Sequence, residues 1–129
     1  MTKKPWCTFA LMACVLLAYC APPAPPPGLT ITSAYDGVYT GTSVMEASSQ
    51  QGCRSGTAVV LTVTKGYATL NGADDRTGWV ASDGSLKMAG ISSRQKANVD
   101  GSFKNGSFVG VSSYHSSVLC QYSWMLKRT

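Results

Sequence analysis

The chain has little with which to do chemistry: one histidine in 129 residues, six acidic side chains of which Glu46 is the single glutamate, and no sustained helical period. Serine-type hydrolysis needs an imidazole beside its nucleophile, and no Gly-x-Ser-x-Gly turn occurs. His115 therefore reads as a surface residue, and Ser48-Ser49, Ser92-Ser93, Ser112-Ser113 and Ser116-Ser117 read as loop serines. There is no Cys-x-x-Cys, and Asp74-Asp75-Arg76 reads as a polar turn rather than a cation loop, so neither a metal nor a cofactor is expected. Glycosidic chemistry would have to draw on Asp36, Glu46, Asp74, Asp75, Asp83 and Asp100, and two of these, Asp83 and Asp100, already have turn roles. No catalytic residue is assigned, and the chain is not expected to be an enzyme. From Cys20 onward nine basic residues face six acidic ones, scattered singly, so no phosphate-binding surface forms and nucleic acid is not an expected partner.

A hydrophobic run long enough to span a bilayer is also missing. Lys3-Lys4 precede about thirteen apolar residues, Trp6 to Ala18, which fits the core of a secretion signal and falls short of the ~20 residues a spanning helix needs. Residues 1–20 thus read as a signal peptide. Its end, Leu17-Ala18-Tyr19-Cys20, resembles the lipobox of bacterial lipoproteins, with Tyr19 standing where that family has a small residue. The resemblance implies acylation of Cys20 and a membrane partner through the lipid. Ordinary cleavage after Cys20 is the alternative, because Ala18 and Cys20 are both small.

Either route removes Cys7 and Cys14, and Cys20 is acylated or lost, leaving Cys53 and Cys120 to pair as a disulfide in an oxidising compartment. After Cys20 comes Ala-Pro-Pro-Ala-Pro-Pro-Pro, which excludes a helix and favours an extended spacer of about 20 Å. Residues 21–34 are read as this tether and residues 35–129 as one small domain.

Within that domain the apolar pattern has period two, broken by Gly, Asn, Asp and Ser. Strands are expected at about 35–46, 57–64, 67–73, 76–82, 85–91, 96–104, 107–114 and 118–127. Asn105-Gly106 suits a two-residue turn that sets Phe103 opposite Phe108 and Gly101 opposite Gly110. By the same rule Asp83-Gly84 sets Ala81 against Leu86 and Trp79 against Met88. Lys65-Gly66 sets Val63 against Ala68 and Leu61 against Leu70. The expected fold is all-β: an eight-stranded antiparallel up-and-down meander, a closed or flattened barrel with one disulfide, its first strand paired with its last.

Tyr39, Trp79, Phe103, Phe108, Tyr122 and Trp124 then share the inner face, as core or as the lining of a pocket for a small apolar ligand. The functional expectation is an exported cell-envelope protein, a periplasmic or outer-membrane lipoprotein acting as a binding or structural module for an unidentified envelope protein. A lipocalin-like carrier of a small apolar ligand is an alternative. The architecture, single disulfide and tryptophan usage also loosely resemble the small inhibitor barrels of bacterial lipoproteins. That resemblance implies protease inhibition, with the segment around Gly28 to Ala34 entering a cleft in extended form.

Overall fold

The computed structural model describes residues 21–48, 53, 55–71, 76–92, 95–115 and 119–129. The expected signal peptide with Cys20, and Asp74, Asp75 and four serines of the expected loop pairs (Ser49, Ser93, Ser116 and Ser117), lie outside the described residues.

Alternating β-formers and turn residues give β1 (Gly37–Ser48), β2 (Ala58–Thr64), β3 (Tyr67–Leu70), β4 (Thr77–Val80), β5 (Ser85–Ser92), β6 (Gln95–Lys104), β7 (Ser107–His115) and β8 (Leu119–Arg128). Each pairs antiparallel with the next, and β1 pairs with β8, closing the barrel as the meander requires. Closure leaves no bare sheet edge.

Turn chemistry fixes the register at two hairpins as expected. Asn105 and Gly106 both take positive φ, 51° and 73°, and Phe103 faces Phe108 while Gly101 faces Gly110. The two glycines are needed because the Phe108 ring lies over them: a Cβ on Gly101 would stand 2.5 Å from Cζ of that ring. Lys65 and Gly66 also take positive φ, 51° and 76°, pairing Val63 with Ala68 and Leu61 with Leu70. A lysine is strained in this region. Asp36 supplies the compensation, its carboxylate accepting the Lys65 N–H at 2.7 Å and the Gly66 N–H at 2.9 Å.

The third hairpin corrects the sequence reading. Val80 faces Leu86, Gly78 faces Met88 and Trp79 faces Lys87, one residue away from the expected pairing. Of the Asp83-Gly84 pair only Gly84 has positive φ, 85°. The Gly84 N–H donates to the Ala81 carbonyl at 2.8 Å, and the Ala81 N–H to the Ser85 carbonyl at 2.9 Å. This is a type I turn followed by a left-handed glycine, which uses one more residue than the two-residue turn. The Ser85 hydroxyl and N–H bond the Asp83 carboxylate, holding it in this turn and its pKa below the usual value. Since side chains alternate with period two, the slip turns Trp79 outward and Val80 inward. Leu86 and Met88 remain inside.

Residues before β1 close the end of the barrel that carries these three turns. The Thr32 N–H donates to the Val80 carbonyl at 3.1 Å, the Ser82 N–H donates to the Thr30 carbonyl at 2.8 Å, and Ile31 bridges Ala81. Tyr35 then stacks on Phe103 with ring centroids 5.3 Å apart.

Candidate functional site

Five of the six aromatic residues expected to face inward do so. Tyr39, Phe103, Phe108 and Trp124 are buried, and Tyr122 packs half-buried against the same cluster. Phe103 is the hub, with centroid separations of 4.9 Å to Tyr39 and 4.8 Å to Phe108. These are contact distances for aromatic rings, so this half of the interior is packed solid with Leu61, Leu70, Leu86 and Leu126 around it. The Tyr39 hydroxyl donates to the Tyr35 carbonyl at 2.8 Å. Burial raises the Tyr39 pKa, partly offset by the Arg128 guanidinium.

Farther from those turns the interior becomes polar. Ser43, Arg76 and Ser112 are buried there, on the inward alternation of β1, β7 and the lead-in to β4. The Ser43 hydroxyl donates to the Thr57 carbonyl at 3.3 Å. The Ser112 hydroxyl and the Trp124 indole N–H are enclosed without a hydrogen-bond partner among the described residues. Sequence reasoning placed Arg76 at the start of a strand over 76–82, next to a polar turn, and missed that it faces inward. The signal was the alternation Arg76, Gly78, Val80, and it was lost because the expected Asp83-Gly84 register put the odd positions of β4 inside.

Trp79 lines an outer groove instead of the interior. Its ring tilts against Tyr67 at 4.9 Å, and the pair forms one wall of a groove of about 670 Å³ whose other wall is Pro23, Pro26 and Leu29. A second outer groove, about 250 Å³, runs over Asn98, Ser113, Gln121 and Glu46 where β1 shifts register between Met45 and Ala47. Two carboxylates, Glu46 and Asp100, line the second groove. Glu46, on β1, accepts the Ser123 hydroxyl at 2.5 Å, whereas Asp100 lies three strands away on β6, 3.9 Å from Lys87. No group of three or more His, Cys, Asp or Glu able to hold a metal occurs among the described residues.

Cys53 and Cys120 form a disulfide, with Cα atoms 5.8 Å apart. It ties the segment before β2 to β8 at the end of the barrel opposite Asn105. The fold and these surfaces define a small disulfide-bonded up-and-down barrel whose interior is packed with aromatic and aliphatic side chains in one half and polar in the other, with two outer grooves among the described residues. Compared with family models, with curated proteins and with solved structures, the chain matches none.

Proposed function

We propose that this protein is an exported cell-envelope module, anchored by a lipid on Cys20 and displayed by its proline-rich segment, that works by binding through its outer surface and performs no catalysis. The observation that carries this reading is the interior itself. Tyr39, Phe103, Phe108 and Leu126 are at most 5% exposed and fill the half of the interior next to the Asn105 turn, leaving less room for a carried ligand. Recognition is left to the outer wall. The inhibitor reading gains less, because the backbone bonds of Thr30 and Thr32 hold part of the Gly28-to-Ala34 segment against the barrel.

The anchor is tested by Cys20→Ala, which should move the exported protein from the membrane to the soluble fraction; retention at the membrane would point to an uncleaved leader. The surface reading is tested on the exported protein with an apolar fluorescent probe. No saturable uptake is expected while the protein is folded, and stoichiometric uptake would favour the carrier.

A further inference from the structure

The outer faces of β7, β8 and β1 carry an apolar patch that the core does not use. Val109 faces Met125 across β7 and β8, and Val111 faces Ser123, which in turn faces Val44 on β1. The four apolar side chains are 52 to 66% exposed, well beyond what isolated surface residues need. The next outward row toward the Asn105 turn is basic, with Lys104 and Lys127 on either side of Ser107. On the other side of the Val109–Met125 pair the row is acidic: Asp100 stands beside Val111, and the Glu46 carboxylate reaches the Ser123 hydroxyl between Val111 and Val44.

A patch with a basic rim on one side and an acidic rim on the other is complementary to itself when one copy is turned half a revolution about an axis through its centre. With the axis running across the strands at Val109 and Met125, the rotation lays this pair on the same pair of the other copy. It also brings each basic rim onto an acidic one. Two-fold pairing requires this self-complementarity, whereas an interface built for an unrelated partner does not.

We propose that this face pairs two copies of the chain in an antiparallel, two-fold dimer, with Lys127 of each copy facing Glu46 of the other. The patch is small, so the dimer is weak, with a dissociation constant of about 10 to 100 µM. The proposal is independent of the anchor at Cys20. Copies held on one membrane by such an anchor would, however, meet at a raised effective concentration.

Sedimentation velocity on the exported full-length protein, in a density-matched detergent and from about 5 µM to about 1 mM, reads the association directly. Mass should rise from monomer to dimer with concentration. Glu46→Lys and Lys127→Glu should each weaken dimerisation about tenfold, because the symmetry counts every substitution twice. The double variant restores opposite charges across the axis and should return to within about threefold of the parent. Met125→Asp, which sets two carboxylates against each other at the axis, should abolish association while the thermal midpoint of the fold stays near that of the parent. A monomer at every concentration overturns the proposal, as does a double variant no better than its single parents. Flotation of the Cys20→Ala protein with phosphatidylcholine vesicles, lost on Met125→Asp, would assign the face to lipid and overturn it equally.

Discussion

Phe103 touches three other rings, Tyr35, Tyr39 and Phe108, and it faces inward because the Asn105-Gly106 turn fixes its register. Truncation to Ala therefore empties the middle of a packed cluster and should cost about 3 to 5 kcal/mol, a large share of what a small domain has. Its neighbour Lys104 is exposed on the outer face, and Lys104→Ala should move the denaturation midpoint by less than about 0.5 kcal/mol. Equal midpoints for the two variants would contradict the register. Tyr39 carries a prediction of another kind. Its folded pKa is raised by burial above 10.0, so the folded state holds its proton more tightly than the unfolded chain does. The resulting stability is complete below the unfolded value and is lost as pH rises through the folded one. Tyr39→Phe should therefore be less stable than the parent at neutral pH, by about 1 kcal/mol for the lost bond to the Tyr35 carbonyl, yet show a flatter decline above pH ~10. Denaturant titrations across that range decide it.

At the scale of the hairpin, the outcome turned on which residues tolerate positive φ. Asn105-Gly106 was legible because both members do so readily and the apolar pattern agreed with the turn. Asp83-Gly84 looked the same in sequence, but the Asp83 side chain bonds Ser85, and only Gly84 goes left-handed. Dipeptide identity alone does not separate a two-residue turn from a type I turn with a following glycine. The apolar pattern could not arbitrate, since Trp79 and Val80 are both apolar neighbours on one short strand. The buried Arg76 was hidden by the same slip. Lys65-Gly66 was legible only as a weak signal, because its support comes from Asp36, 29 residues away in sequence. Asp36→Ala should accordingly cost about 1 to 2 kcal/mol by removing a charged acceptor from two N–H groups. Lys65→Gly relieves the strained φ and should recover part of that loss in the double variant. A double-mutant cycle by chemical denaturation checks the coupling; additive effects would show that Asp36 does not support this turn.

The whole molecule is held by a ladder that runs full circle and by one covalent tie across 67 residues of sequence. In the chain-entropy account a closure of that length contributes up to about 4 kcal/mol, chiefly by restricting the unfolded chain. Replacing Cys53 and Cys120 together by Ser should lower stability by about 2 to 4 kcal/mol without altering the barrel's β-sheet circular dichroism. The exported parent should show no titratable thiol at either position when denatured without reductant, and two free thiols would contradict the bond. The closed topology was legible from the count and spacing of strands, whereas the self-complementary outer patch was not. Its residues look like ordinary period-two alternation until the register sets them side by side.

The seam between β1 and β8 joins Tyr39 to Arg128, almost the two ends of the folded chain. Synthesis delivers β1 first among the eight strands and β8 last. Until β8 exists, β1 lacks its partner on that side and the sheet has two unpaired borders. The ring therefore cannot close until all eight strands have been made, so closure is a late event however early the individual hairpins form.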